Sequence, residues 1–477
     1  MTERLTLGPQ AVAPPAAFSR WKFLLPLALA QFICSFAGSN MNVMINDISK
    51  DLDTTVKGVQ TAITLFLLIM AILMIPGSKL TDRWGRKRCF NLGLAIYGVG
   101  AILSAAAPGL GVLILGNSVF EGVGTALLIP PVYILTTLAF EDTTSRAKAF
   151  GAINGAAGIG AATGPLLGGL IATFISWRAA FVFQALVIAV ILVLGRRIAD
   201  PVAADPSRPF DVVGAVLSGA GLFFLVFGIL QIGTHNVLAA ALGVFGAVFL
   251  VAFFIYIRRE ERQGKEPLLS TALFRNRTSN LALVTQNVQW LLLMGTAFVV
   301  SVFLQEVRDY NPIETGLVFT AATVGLLLSS LGAGRFARRR TQKSLIVAGF
   351  VLALVGVVLL IPLVVEWRSV VAFFPGLFLF GVGMGLMLTP SVNVVQSAFP
   401  EQQQGQISGL SRSISNLGSS LGTAIAGTIL ISAVTTGNTS YAWAMVAVAI
   451  AGAIGLGAAL LLPGGRPSVA HDQLQPD

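Results

Sequence analysis

One ionisable side chain lies deep in an apolar stretch of this sequence and could do proton chemistry. It is Glu121, in the segment Ser118-Val-Phe-Glu121-Gly122. A charge at the centre of a lipid bilayer costs about 2.5–3.5 kcal/mol, so such residues usually face a cavity or a partner. A carboxyl group there could carry a proton or attract a cationic compound. The alternative is a protonated, hydrogen-bonded glutamate with a structural role.

A second pattern combines glycines, one acid and several bases in a short polar segment, Gly77-Ser-Lys-Leu-Thr-Asp82-Arg83-Trp-Gly85-Arg86-Lys87-Arg88. The glycines permit a tight turn, and Asp82 can cap a helix or pair with an arginine. A purely basic loop would only set orientation in a membrane. Orientation does not require Asp82 or the glycines, so we interpret the segment as a gating loop with Gly77, Asp82, Arg83, Gly85, Arg86 and Lys87 as its working residues.

A third pattern is a glycine-rich stretch that contains one proline. Its members are Gly151, Gly160, Gly164, Pro165, Gly168 and Gly169. Small residues let helix backbones approach closely, and proline allows a kink. The pattern predicts a helix along which two bundles can tilt, although close packing alone is the simpler explanation.

Polar side chains recur within other apolar stretches. They would either line a cavity or join helices by hydrogen bonds, and the sequence does not favour one use over the other. The candidates for lining a substrate cavity are Gln31, Ser35, Ser39, Asn40, Asn42, Asn154, Gln286, Asn287, Gln289, Trp290 and Asn416.

The composition limits the classes of protein that could use these residues. Of 477 residues, 55% are hydrophobic and 11% are charged, against about 25% charged in soluble domains. The mean hydropathy is +0.82. These values exclude a soluble enzyme, a disordered chain and a secreted disulfide scaffold. Two cysteines and two histidines leave too few ligands for haem, zinc or copper, so we expect no metal site and no cofactor.

Apolar stretches long enough to cross a bilayer, which takes about 20 residues, dominate the chain. Their continuous character excludes a membrane barrel, and the first is too long for a signal peptide. We predict an all-α polytopic membrane protein with fourteen spans, at residues 23–45, 58–78, 89–108, 112–138, 149–175, 178–195, 212–232, 236–257, 281–304, 314–334, 345–364, 370–393, 407–433 and 441–462.

The positions of the basic residues predict how these spans are oriented. With the N-terminus inside, 26 of the 31 lysines and arginines fall in inside segments. Cytoplasmic loops of membrane proteins carry this excess, so we expect both termini in the cytoplasm. The net charge of +10 therefore reflects orientation and contact with anionic lipid, and not binding to nucleic acid.

The spans divide into two sets of six around an inserted pair. A glycine with a basic cluster follows both span 2 and span 10, which suggests two related halves. The predicted organisation is a cytoplasmic tail at 1–22, a six-helix bundle at 23–195, a linker with two extra spans at 196–280, a second six-helix bundle at 281–462 and a cytoplasmic tail at 463–477.

These patterns together resemble the major facilitator superfamily, and within it the fourteen-helix drug:proton antiporter branch. The segment Gly77–Arg88 matches the signature loop of the superfamily, and the glycine pattern of span 5 matches the antiporter motif. Trp177-Arg178 after span 5 and Thr389-Pro390 in span 12 are also similar to this branch. The resemblance covers about residues 20–462.

Two positions depart from the pattern of that branch. Its members usually carry an aspartate in the first helix, where this chain has Ala37. They also carry an arginine in the fourth helix, where this chain has Ser118, followed by Glu121 in place of glutamine. The resemblance therefore carries over the fold but not the usual residues for proton coupling.

The resemblance implies a secondary active transporter in the cell membrane and not an enzyme. We expect it to export amphipathic or cationic drug-like compounds by alternating access, with proton coupling through Glu121. The alternative is a transporter of lipid-like amphiphiles with weak or absent coupling. A channel or receptor is disfavoured because the sequence shows no filter, voltage-sensor or ligand-binding domain. The expected partners are a small amphipathic substrate, protons and membrane lipid, with the protein as a monomer.

Overall fold

The computed structural model describes residues 17–140, 143–196, 198, 200, 204–337, 340–365, 369–399, 403–431 and 438–464. Most of each predicted tail, residues 1–16 and 465–477, lies outside the described residues.

Fourteen long helices follow one another along the described part of the chain. They are α1 (Ala17–Asn40, continued by a 3₁₀ turn at Met41–Met44 and a short helix at Ile45–Asp51), α2 (Val56–Trp84), α3 (Arg86–Ala105), α4 (Leu110–Ala139), α5 (Thr143–Phe174), α6 (Trp177–Gly195), α7 (Val212–Gln231), α8 (Asn236–Arg262), α9 (Arg277–Val307), α10 (Pro312–Ala337), α11 (Gln342–Leu360), α12 (Phe373–Ser397), α13 (Gln404–Ile431) and α14 (Thr439–Leu460).

Thirteen of these helices are long and apolar enough to cross a membrane, counting only residues that the structure describes. The remaining one, α13, is 28 residues long and is more polar. Its serines do not need water, because Ser413 Oγ donates to the carbonyl of Ala71 at 2.6 Å and Ser420 Oγ donates to that of Thr64 at 3.0 Å, both in α2. Its polar face is therefore satisfied by protein, and the helix can lie in the bundle with the others.

The helices form two bundles with an extra pair beside them. Helices α1–α6 pack on one another, as do α9–α14, and the two bundles meet along α2 with α13 and along α5 with α10. Helices α7 and α8 pack together, and α7 lies against α2 and α13. There Val226 and Leu230 pack on Leu68 and Ala424. The extra pair thus covers one of the two seams between the bundles.

The two ends of the structure differ in charge. We call the end that carries the α2–α3 junction, with Arg83 and Arg86, the basic end, and the end that carries Asn46, Gln305 and Pro312 the distal end. The charge distribution predicts that the basic end is cytoplasmic. Helices α5 and α13 run from the basic end to the distal end, and α2 and α10 run the other way.

Candidate functional site

A cavity lies between the two bundles, near the middle of the helices. Its volume is about 70 Å³. Both bundles contribute to its wall, which is mostly apolar. The lining includes Ser39, Asn42, Ala161, Pro165, Met294, Thr296, Phe319, Thr323, Phe380 and Met384.

Two polar groups of the cavity lining have no protein partner in the described part of the structure. They are Oδ1 of Asn42 and Oγ1 of Thr296, both buried. Buried polar atoms normally form hydrogen bonds, and an unpaired one costs about 1–3 kcal/mol. Water or a ligand in the cavity could supply the missing bonds. Of the predicted cavity residues, Ser39 and Asn42 line this space.

The cavity is closed on its distal side by contacts between the bundles. The side-chain amide of Gln305 in α9 donates to the carbonyl of Asn42 at 2.8 Å and accepts from the backbone N–H of Asn46 at 3.0 Å. Beside it, Thr173 Oγ1 at the end of α5 accepts from the N–H of Ile313 at the start of α10, at 3.0 Å. The sequence analysis did not identify Gln305.

The glycines of α5 explain how close these contacts are. A side-chain carbon at Gly160 would lie 2.3 Å from the carbonyl oxygen of Phe32 in α1, and one at Gly169 would lie 2.4 Å from that of Pro312 in α10. Gly164 and Gly168 are in similar contact with Ser39 and Asn40. The motif therefore seats α5 against α1 and α10 along its distal half.

The basic half of α5 is different. No described atom lies within 4 Å of where a side-chain carbon would stand at Gly151, Gly155 or Gly158. The motif glycine Gly151 is exposed, so close packing does not require it in this conformation. The α5 helix is thus covered at its distal half and left open toward the basic end.

One polar cluster joins the two bundles on the basic side of the cavity. The guanidinium of Arg412 in α13 donates to the hydroxyl of Tyr133 in α4 and, at 3.5 Å, to Oδ1 of Asn154 in α5. Its carbon Cζ lies 4.8 Å from the centre of the Tyr133 ring. Tyr133 in turn donates to Asn154 at 3.0 Å. Asn154 was a predicted cavity residue, and its position here brings it to a cationic side chain.

The predicted gating loop is largely helical, which corrects the expectation of a loop. Helix α2 continues to Trp84 and α3 begins at Arg86, so the whole turn is made at Gly85. The φ of Gly85 is +92°, which a residue with a side chain rarely adopts. The intervening lysine, leucine and arginine are good helix formers, so they extend α2 beyond the apolar span.

Charge pairs and caps hold this junction together. Asp82 accepts from Arg86 at 3.1 Å and lies 3.4 Å from the guanidinium of Arg208 in the linker after α6. The carboxylate of Asp200 accepts from the backbone N–H groups of Arg86 and Lys87, at 2.7 and 3.2 Å. It therefore caps the N-terminus of α3, which favours negative charge.

Three other members of the predicted gating loop sit at the same junction. Lys87 Nζ donates to the carbonyl of Arg196 at 3.1 Å. A side-chain carbon at Gly77 would lie 2.3 Å from the carbonyl of Ala126, so this glycine lets α2 approach α4. Arg83 is half-buried near the basic end. The linker thus takes part in this region through Asp200 and Arg208, neither of which the motif contains.

Glu121 lies inside the first bundle and not on the cavity wall. It is fully buried and ends a π-helical segment of α4, Ile114–Glu121; such segments are frequent at functional sites. Its carboxyl oxygens accept from Ser104 Oγ and Asn117 Nδ2, each at 3.4 Å. Glycines bring α3 close here, since a side-chain carbon at Gly100 would lie 2.6 Å from the carbonyl of Gly116.

The remaining polar candidates of the second bundle join its helices. Gln286 accepts from Ser411 at 2.8 Å, Asn287 donates to the carbonyl of Ile414 at 2.9 Å, and Gln289 accepts from Ser391 at 2.9 Å. The other candidates are placed as follows: Gln31 and Asn40 are buried, and Ser35, Trp290 and Asn416 are half-buried.

Comparison with known proteins decides the family of a chain with this architecture. The family described as Major Facilitator Superfamily matches residues 27–423, and a second match covers residues 282–474. The chain belongs to the Major Facilitator Superfamily. A solved structure of the peptide transporter POT in complex with alafosfalin has a TM-score of 0.69 to this chain at 16% identity and covers 94% of it and 97% of itself. That likeness shows the fold.

Relatives narrow the family to a branch. The chain is 28% identical to the puromycin resistance protein pur8 of Streptomyces alboniger over 86% of this chain and 82% of the relative. It is 28% identical to the multidrug efflux pump LfrA of Mycolicibacterium smegmatis over 86% of this chain and 80% of the relative. The prediction of a superfamily member from the drug efflux branch is confirmed. The chain is a multi-pass transporter of the cell membrane and not an enzyme, as the sequence analysis expected.

Proposed function

We propose that this superfamily transporter exports amphipathic, drug-like compounds by alternating access to the cavity between its bundles. The observation that carries the proposal is the asymmetry around this cavity. Gln305 and the α5–α10 packing close it at the distal end, whereas the glycines in the basic half of α5 face open space. A site reachable from one side at a time is what alternating access requires.

The size of the cavity is consistent with a resting conformation. Pockets that hold drug-sized ligands measure about 300–1,000 Å³, and this one measures about 70 Å³. A substrate would therefore need the bundles to separate further. The wall offers apolar side chains together with Met294 and Met384, and flexible methionines suit ligands of varied shape.

The names of the relatives support drug export over the lipid-transport alternative. One is a puromycin resistance protein and another a multidrug efflux pump. Resistance arises when a compound leaves the cell, so these names support outward movement of antibiotic-like substrates here.

We further propose that Glu121 couples transport to protons. It is the one carboxyl group in the middle of a span, and its described hydrogen-bond partners are a hydroxyl and an amide. Gain or loss of a proton would change the packing of α3 on α4, because both partners lie on those helices. The position away from the cavity suggests that Glu121 acts on the conformational change and not on the substrate.

The test is transport into proteoliposomes with and without an imposed pH gradient. Rhodamine 123 and rhodamine 110, which differ by a methyl ester, serve as fluorescent probes. We expect the gradient to drive accumulation of at least one probe. Glu121→Gln should abolish that accumulation but leave downhill exchange measurable, and the exposed-residue control Glu266→Gln should behave as wild type. Uphill transport that persists in Glu121→Gln would remove Glu121 from the mechanism, and no movement of either probe would contradict the proposed function.

A further inference from the structure

The basic side chain farthest from a helix end that opens to solvent is Arg412. It is the ninth residue of α13, which places it about 12 Å along the helix from its start at a rise of about 1.5 Å per residue. Other basic residues, such as Lys148 and Arg178, lie within a turn or two of helix ends. A charge kept at such depth is expected to serve a ligand or a partner.

The described surroundings of Arg412 are uncharged. Its contacts are the hydroxyl and ring of Tyr133 and the amide oxygen of Asn154. No acidic side chain among the described residues lies within salt-bridge distance of it. The buried acid of the first bundle, Glu121, is bound instead to Ser104 and Asn117.

This environment would favour an anion over the present neutral partners. Hydrogen bonds between two ionised groups are roughly twice as strong as neutral ones, and the planar guanidinium can bind a carboxylate through two parallel bonds. Arg412 is half-buried, and Asn154 is exposed on the open half of α5. A ligand that enters from the basic end would therefore meet this cluster before the central cavity.

An aromatic surface adjoins the cluster. The ring of Tyr133 stacks on that of Phe150, with ring centres 5.9 Å apart and planes at 22°. A flat aromatic ligand could pack beside these rings while its charged group reached Arg412.

We propose that Arg412, Tyr133 and Asn154 recognise an anionic group of the substrate. The transporter then selects aromatic amphiphiles that carry a carboxylate or a similar anion, in contrast to the cationic compounds that the sequence analysis expected. This inference rests on the proposed function, because it assigns the substrate class of the same pathway.

The cluster also links recognition to movement. Arg412 belongs to the second bundle, and Tyr133 and Asn154 belong to the first. An anion that replaces the two neutral oxygens would release this connection between the bundles. Substrate binding would thereby alter the contact that holds the basic side together.

The experiment measures binding of two fluorescent probes to the purified full-length protein. Rhodamine 110 carries a free carboxylate, and rhodamine 123 is its methyl ester. We expect wild type to bind rhodamine 110 more tightly. Arg412→Gln should weaken rhodamine 110 at least tenfold and rhodamine 123 less than twofold, with Arg412→Lys in between. The exposed Arg262→Gln, which removes the same charge elsewhere, should match wild type.

The outcomes separate this inference from the proposed function. If wild type transports and binds rhodamine 123 but not rhodamine 110, or if Arg412→Gln weakens both equally, the anionic site is wrong while drug export stands. If neither probe is bound or moved, the proposed function itself fails. An unchanged melting temperature of Arg412→Gln shows that the variant is folded.

The source of the anion is tested in vesicles of phosphatidylcholine alone and of phosphatidylcholine with phosphatidylglycerol. A substrate site should bind rhodamine 110 equally in both. Weaker binding of rhodamine 110 only with phosphatidylglycerol, and only when Arg412 is present, would assign the site to a lipid headgroup and overturn the substrate assignment.

Discussion

Gln305 and Asn46 are 259 residues apart in the chain, and the side-chain oxygen of Gln305 accepts the backbone N–H of Asn46 at 3.0 Å. The two residues belong to different bundles. Gln305 is almost fully buried and also donates to the carbonyl of Asn42 at 2.8 Å. Through these two bonds, one side chain holds the distal ends of α1 and α9 together.

Replacing Gln305 should loosen the distal closure. Gln305→Ala removes both bonds, and each contributes about 0.5–1.5 kcal/mol. We expect an introduced cysteine at Thr296, in the cavity wall, to react about tenfold faster with a maleimide supplied from the distal side. Gln263→Ala, at an exposed position after α8, is the matched control. An unchanged labelling rate would show that Gln305 does not limit access.

The two ends of the glycine motif should respond differently to alanine. Gly160→Ala places a methyl group against the Phe32 carbonyl, and overpacking of this kind costs about 1–3 kcal/mol. We expect its melting temperature in detergent to fall. Gly151→Ala meets no neighbour in this conformation, so its melting temperature should not fall. If the basic half of α5 packs during the cycle, Gly151→Ala should nevertheless slow transport. Equal melting temperatures for the two variants would contradict the packing described here.

The cap on α3 predicts a stability effect outside the recognised motif. Asp200→Ala leaves the N–H groups of Arg86 and Lys87 without this acceptor, and loss of an N-cap costs about 1 kcal/mol. We expect a lower melting temperature and reduced transport, since the gating junction loses its anchor to the linker. Asp200→Asn, which can still cap, should be closer to wild type. The exposed Glu266→Ala serves as control, and an effect as large in that variant would discount the cap.

Glu121 should affect coupling without affecting substrate binding. Its side chain lies between α3 and α4 and contacts Ser104 and Asn117, away from the residues that line the cavity. We expect Glu121→Gln to bind either rhodamine with the affinity of wild type, within about twofold. A tenfold loss of affinity would indicate that Glu121 reaches the substrate in another conformation.

Much of the fold is predictable from the sequence because hydropathy reports length and order of spans directly. All fourteen helices lie where apolar stretches predict them, including α13, whose serines are satisfied by carbonyls of α2. The exception is the segment before Gly85, where charged helix formers extend α2 past its apolar part. Hydropathy marks the membrane and not the end of a helix.

The site is less predictable because hydropathy does not tell which way an apolar helix is rotated. Glu121 ends a π-helical segment of α4, and the sequence shows its depth but not that it faces α3. The pairing of Gln305 with Asn46 depends on contact between distant segments, for which one sequence carries no signal. Arg412 is different, since a single basic residue inside a predicted span is visible in the sequence, although its partners Tyr133 and Asn154 are not.

The central claim is that the two bundles open one end of the cavity while closing the other. Spin labels at Thr137 and Ser397 report the basic end, and labels at Lys50 and Leu317 report the distal end; all four positions are exposed. Electron paramagnetic resonance distances should be measured without ligand, with each rhodamine and at two pH values, in variants that still transport. The account predicts that the distal distance lengthens whenever the basic distance shortens. Distances that stay fixed in every condition, or that change in the same direction at both ends, would contradict it.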